Sequence, residues 1–455
     1  MNKKQSSKKE IDMLNGSLLS KIIFFALPLA ATGILQQLFN AADMAVVGKF
    51  ASSTALAAVG SNAPLVNLIG SLFMGTAMGA NVVIANAIGA SDEKRISDAV
   101  HTSISFSLIL GVGMLVIGEI FARPLLNMVN VPSQVMPEAL LYLRLLFIGS
   151  PFLLIYNFAA SILRSKGDTK RPLYILVFTG ILNVLLNILL VVKFKLSVEG
   201  VAISTVTASV MSALIILRIL QNESGSIKLD IRKLFFDKKT LKNIIRIGVP
   251  AGIQGMVFSL SNTVLQGGIN TLGKDVIAGS AAGTIFEFIC FFAINSFAQT
   301  ATTFVGQNYG AGNYERCKRI FRYSICCSIL FCGMLNLLIF LFRNELLMMF
   351  TTEKIVAEYA VIRMTHVLIF QWLASTYEVT AGCMRGFGYS MTPALVTIFG
   401  TCVVRIAWVY LIFDRMRSFS ALINVYPVTW LLTGGIMLTV YFVKSKKVLK
   451  DVETI

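Results

Sequence analysis

The chain has 455 residues, 56% of them hydrophobic and only 14% charged, with a mean hydropathy of +0.75. Soluble domains carry about 25% charged residues, so this composition excludes an ordinary soluble enzyme or binding module and indicates a polytopic membrane protein. The net charge of +17 would suit a nucleic-acid partner, but it is accounted for by where the basic residues fall relative to the membrane.

Twelve apolar segments follow one another, at 18–47, 54–88, 96–121, 139–162, 172–192, 198–220, 242–270, 276–308, 320–342, 356–383, 391–413 and 418–442. Each is long enough to cross about 30 Å of hydrocarbon as a helix. The start MNKKQSSKKE before IIFFALPLAA resembles a secretory signal. The apolar run continues past it to Asn40 and Asp43, so an uncleaved first helix is expected. The longest polar connection, QNESGSIKLDIRKLFFDKKTL at 221–241, reads as a basic cytoplasmic linker. No segment alternates apolar and polar residues over the length of a barrel strand. The expected fold is therefore all-α, a polytopic membrane protein of 12 transmembrane helices. The expected layout is a cytoplasmic amino terminus 1–17, an N-lobe 18–220 (helices 1–6), the linker 221–241, a C-lobe 242–442 (helices 7–12) and a cytoplasmic tail 443–455.

Of the forty Lys and Arg residues, twenty-eight fall in the amino terminus, the even-numbered loops and the tail, among them Lys94, Arg95, Lys170, Arg171, Arg316 and Lys444. Nine fall in the odd-numbered loops. The positive-inside rule then places both termini in the cytoplasm, which requires an even number of spans. The asymmetry explains the basic balance without nucleic acid.

All seven cysteines lie in the second half, mostly inside helices and without a CxxC pair, so neither disulfides nor zinc is implied. His101 and His366, the only histidines, lack metal-ligand spacing. No nucleophile has a histidine partner, which argues against an enzyme. No cofactor is implied.

Set against itself at an offset of 221, the chain repeats: NAIGASDEKR (86–95) meets QNYGAGNYER (307–316), and ILRSKGDTKRPL (162–173) meets CMRGFGYSMTPA (383–394). KIIFFALP (21–28) meets NIIRIGVP (243–250) at 222, which pairs Pro28 with Pro250. Two halves of six spans each enter and leave on the same side, so they form a parallel repeat. That is a transporter architecture. LFNAADMAVVGKFASSTALAAVG, the signature after helices 2 and 8, ILRSKGDTKRP, ILNVLLN and GVAISTV occur in order along the chain. On these motifs the sequence resembles the multidrug and toxic compound extrusion (MATE) family over essentially its full length. The resemblance implies two six-helix bundles forming a V-shaped MATE fold and a secondary antiporter in the cytoplasmic (inner) membrane. It implies export of organic cations or other amphipathic compounds in exchange for H⁺ or Na⁺, with the lipid bilayer and a small-molecule substrate as partners, by a chain acting as a monomer. A flippase of the same superfamily for a lipid-linked oligosaccharide is the alternative.

In the first helix Gln36, Asn40 and Asp43 stand at i, i+4 and i+7, on one face. A carboxylate at that depth costs about 2.5–3.5 kcal/mol on insertion scales, so it needs compensating partners. Asn183 and Asn187 at i, i+4, with Ser204, Thr205 and Asn157, supply the amide and hydroxyl groups. Ringed by oxygens Asp43 would hold Na⁺; desolvated and alone it would carry a proton. The resemblance carries the first-half ion site onto Asp43, Asn183 and Thr205. It departs at Asn187, where relatives often have a second acid, and this weakens the Na⁺ reading. Gln36, Asn40, Asn157 and Arg405 are expected to contact substrate. In the second half Val264 or Leu265 replaces the acid, but Glu287 in GTIFEFICFFAIN and Glu378 in STYEVTAG are buried acids and further ion-coupling candidates. Glu378 misses the family's helix 10 acid position, which falls on Ala374, so it is either a relocated ion site or half of a salt bridge. Arg405 is expected to pair with Glu378, Glu287 or both, Arg144 and Arg363 to snorkel, and Glu119 to be solvated.

Overall fold

The structure, a computed structural model, describes residues 10–348 and 353–453. Helices account for almost all of them, and no strand occurs among the described residues. In chain order they are α1 (Leu18–Phe50), α2 (Ser53–Gly89), α3 (Glu93–Met128), α4 (Met136–Lys166), α5 (Lys170–Lys193) and α6 (Val198–Gln221). After the linker come α7 (Lys238–Asn270), α8 (Lys274–Gly310) and α9 (Tyr314–Leu341), then a short α10 (Arg343–Met348). The remaining elements are α11 (Lys354–Val367), α12 (Ala374–Gly386), α13 (Met391–Met416) and α14 (Phe419–Ser445).

Eleven of these helices are long and apolar enough to cross a membrane unbroken. The twelfth expected span, 356–383, is present as a broken helix: α11 passes into a 3₁₀ stretch, Leu368–Leu373, and resumes as α12. Local chemistry sets several ends. The Ser52 hydroxyl accepts from the Ala55 N–H at 3.0 Å and Asp92 Oδ1 from the Arg95 N–H at 3.0 Å, each satisfying an orphan donor of a first turn. Gly167 closes α4 at φ +107°, where a Cβ would lie 2.5 Å from the Ile11 carbonyl oxygen.

The chain packs as two compact units. Of the described residues, 10–11 and 31–252 form the first, and 12–30, 253–348 and 353–453 the second. The opening part of α1 therefore belongs to the second unit, and α7 as far as Gly252 to the first. The lobes 18–220 and 242–442 expected from the sequence differ from these units at the two helix starts. In both helices the changeover falls two residues after the interior proline, Pro28 or Pro250.

The first unit's core runs through α2, α3, α4 and α6, with Ala58, Leu126, Leu143, Phe147 and Val201 buried together, and Ile84, Ile104, Leu163 and Ile216 in a second cluster. Close approach of backbones joins α2 to the start of α7. A Cβ on Gly75 would meet Gly252 N at 2.2 Å, and one on Gly79 would meet the Ile244 oxygen at 2.4 Å. Small residues at i, i+4 on both helices are what permits this contact.

The linker is fastened to the same unit. His101 Nε2 accepts from the Asp230 N–H at 3.1 Å and the Thr102 hydroxyl from the Asp237 N–H at 3.0 Å. Lys166 Nζ bridges Glu10 at 2.5 Å and Glu223 at 2.8 Å, and Arg171 pairs with Asp168 and Glu223. Burial pushes the Glu223 carboxyl up, but hydrogen bonds and charge from Lys166 and Arg171 outweigh it and hold it below the ordinary glutamate value.

Candidate functional site

Asp43 lies in the last two turns of α1, where α5 and α6 present amide and hydroxyl groups to it. Asn187 Nδ2 donates to Asp43 Oδ1 at 2.5 Å. The Asn183 amide, one turn earlier on α5, is assigned the orientation that satisfies both its ends, with its nitrogen 2.9 Å from Asp43 Oδ1 and its oxygen accepting from the Thr205 N–H at 3.3 Å. The Thr205 side chain also reaches the carboxylate, and its hydroxyl donates to the Val201 carbonyl at 3.0 Å. Asn187 is fully buried, and its Oδ1 has no hydrogen-bond partner. No basic side chain of the described residues pairs with Asp43. The charge is held by uncharged amide and hydroxyl groups, which satisfy an anion without neutralising it.

Three residues expected near Asp43 lie apart from this cage. Asn40 Nδ2 donates to Gln37 at 3.1 Å and is exposed. Asn157 Nδ2 donates to the Leu153 carbonyl of its own helix at 2.9 Å, and Gln36 makes no hydrogen bond to Asp43. The Ser204 hydroxyl is likewise spent on the Gly200 carbonyl at 2.8 Å.

The second unit arranges its charges differently from the sequence expectation. Arg363, expected to snorkel, is 4% exposed. It forks onto Glu287, Nε to Oε1 at 2.6 Å and Nη2 to Oε2 at 2.8 Å, with Nη1 donating to Ser280 Oγ at 2.9 Å. Arg363 lies nine residues into α11, about 13.5 Å along its axis, too deep for its head group to reach the helix start. The expected pairing of Arg405 with Glu287 or Glu378 does not occur, because Arg363 occupies Glu287. Arg405 Nη1 instead donates to Asn262 Oδ1 at 2.8 Å, and Nε lies 3.5 Å from Thr429 Oγ1. Glu378 is buried on α12, bonded to the Tyr377 side chain and influenced by the charge of Arg385. Arg385 Nη2 itself donates to Gln254 at 2.7 Å. Glu119, expected to be solvated, pairs with half-exposed Arg144 at 3.3 Å.

A family model described as MatE matches the chain twice, at residues 28–189 and 250–411. The chain belongs to the MatE family. The two MatE matches superpose at a shift of 222, the offset that pairs Pro28 with Pro250, so the duplication legible in the sequence is a duplication of the family unit. The probable multidrug resistance protein YoeA of Bacillus subtilis is 29% identical over 384 residues, 82% of each chain. The probable multidrug resistance protein NorM of Thermotoga maritima is 27% identical over 393 residues, 85% of this chain and 84% of that one. Among solved structures, a MOP superfamily transporter from Pyrococcus furiosus shares the fold at a TM-score of 0.89. It is 22% identical, over 97% of this chain and 99% of the other. MatE membership makes the chain a multi-pass membrane transporter.

Proposed function

We propose that the protein is a secondary active antiporter that exports amphipathic compounds, organic cations among them, across the cytoplasmic membrane by alternating access. Its coupling site is Asp43, with Asn183, Asn187 and Thr205 as the residues that hold the acid. The observation that carries this reading is a membrane-embedded carboxylate whose partners are amide and hydroxyl groups, with no basic side chain of the described residues to neutralise it. Such an acid is costly as an anion and far less so once it has taken up a cation. If one conformation accommodates the anion and the other the neutral form, an inward ion gradient drives the cycle.

The proton is the favoured ion. The Asn187 nitrogen faces the carboxylate, so protonation of the other carboxylate oxygen leaves that bond in place, whereas Na⁺ would require this amide to turn its oxygen inward. The family and the relatives named for multidrug resistance support drug export over a lipid-linked oligosaccharide flippase.

Proteoliposomes loaded with ethidium, under an imposed pH gradient or an imposed Na⁺ gradient, test the reading with wild type beside Asp43→Asn. The pH gradient is expected to drive efflux from wild type, and Asp43→Asn to abolish it. Asn187→Asp, which places a second acid beside the first, is expected to alter the ion preference. Gradient-driven efflux by Asp43→Asn at the wild-type rate would rule out this coupling site.

A further inference from the structure

The second unit carries the opposite polarity at the station that corresponds to the Asp43 site. On the shift of 222 that relates the two family matches, Leu265 stands where Asp43 does, Asn262 where Asn40 does, and Arg405 where Asn183 does. The correspondence is spatial as well as sequential. In the first unit an α5 residue, Asn183, bonds an α1 residue, Asp43, and in the second an α13 residue, Arg405, bonds an α7 residue, Asn262.

Arg405 is 1% exposed, and its Nη2 has no hydrogen-bond partner of any kind. No carboxylate of the described residues pairs with it. Its guanidinium lies over the Tyr426 ring at 4.5 Å and the Phe258 ring at 5.0 Å. Aromatic side chains continue from there: Phe258 stacks on Phe291, and Tyr426 lies beside Trp430. Phe258, Asn262 and Tyr426 are only partly buried. A buried guanidinium with an unused N–H and no counter-charge is a recognition point for an oxyanion, because that ligand satisfies the donor and cancels the charge at once. Rings on either side suit an aromatic body attached to that anion.

We propose that Arg405, with Asn262, Phe258 and Tyr426, forms a binding site for an amphipathic substrate that carries a carboxylate or phosphate beside an aromatic body. The assignment rests on the exporter reading and deepens it, extending the cargo from organic cations to amphipathic anions and zwitterions.

Isothermal titration calorimetry on the purified full-length protein compares three isosteric probes: 2-naphthoate, neutral 2-naphthamide and cationic 2-naphthylmethylammonium. Wild type is expected to bind naphthoate about tenfold or more tightly than naphthamide, the value of one charge-assisted pair. Arg405→Gln is expected to erase that preference. Should Arg405→Gln fail to fold, Asn262→Asp decides: a carboxylate at that place neutralises the guanidinium internally, so the naphthoate preference disappears while thermal stability holds or rises. Equal affinity of wild type for naphthoate and naphthamide overturns the site, as does a preference that survives in the folded variants. Loss of naphthoate binding on adding phosphatidylglycerol, but not phosphatidylcholine, identifies a lipid headgroup as the occupant and also overturns it. Asp43→Asn is expected to bind naphthoate normally. Gradient-driven efflux that fails while the naphthoate preference stands refutes the exporter reading alone.

Discussion

Glu287 and Arg363 show how strongly a single pair can be constrained inside an apolar unit. Two parallel N–H···O bonds, a serine and the ring of Tyr426 surround the guanidinium. Removing one partner strands the other charge, which costs about 3–5 kcal/mol, whereas replacing both by apolar residues is often near neutral. Glu287→Gln is therefore expected to destabilise the protein by about that amount, and Glu287→Leu combined with Arg363→Met to recover most of it, as read by denaturant unfolding in detergent. The double variant is also expected to retain gradient-driven efflux. If it folds yet no longer couples, Glu287 belongs to the ion path. That Glu287 is a buried acid was legible from its apolar surroundings. Its partner was not, because Arg363 is 76 positions away and nothing local links the two. The Asp43 cage was more readable: Asn183 and Asn187 sit at helical spacing on one short segment, and Thr205 lies two turns into the next helix. Asn157, an amide at similar depth, satisfies itself on its own backbone instead, a choice that spacing does not encode.

Among the helices, hydropathy was sufficient to find eleven spans and insufficient to find the break in the twelfth. Leu368–Leu373 is apolar except for Gln371 and free of Pro and Gly, so no helix-stop residue ends α11 there. The Gln371 side chain, which donates to the Glu287 carbonyl at 2.9 Å, anchors the 3₁₀ stretch to α8 instead. Helix contacts made by glycine are similarly invisible as pattern but specific as geometry. Gly79 faces the Ile244 oxygen and Gly248 N of α7, where an added Cβ would stand 2.4 and 2.7 Å from backbone atoms that have no rotamer to change. Gly79→Ala is expected to cost about 1–3 kcal/mol by forcing α2 and α7 apart. Gly113→Ala on α3, where nothing lies within 4 Å, is the control and is expected to leave stability unchanged or raise it by up to about 1 kcal/mol through helix propensity. Thermal unfolding of both variants in the same detergent makes the comparison, and equal stabilities would contradict the close-packed contact.

For the whole molecule, the count of crossings and the placement of charge constrain each other. Twenty-eight of forty basic residues fall in the termini and even-numbered loops, a bias from which those segments are expected to lie in the cytoplasm. Both ends can share that side only if the number of crossings is even. Eleven unbroken helices alone would leave the tail outside, so the broken pair α11 and α12 is expected to act as one crossing. Alkaline phosphatase and green fluorescent protein, fused in turn after Ile455, read this directly. Green fluorescence with an inactive phosphatase is expected at that position, and an active phosphatase is expected for an insertion at Lys195, between α5 and α6. An active phosphatase at the carboxyl end would mean that α11 and α12 enter and leave on one side. α13 and α14 would then run through the membrane in the reverse direction to α5 and α6, and the repeat that pairs Arg405 with Asn183 in sequence would no longer pair them in direction.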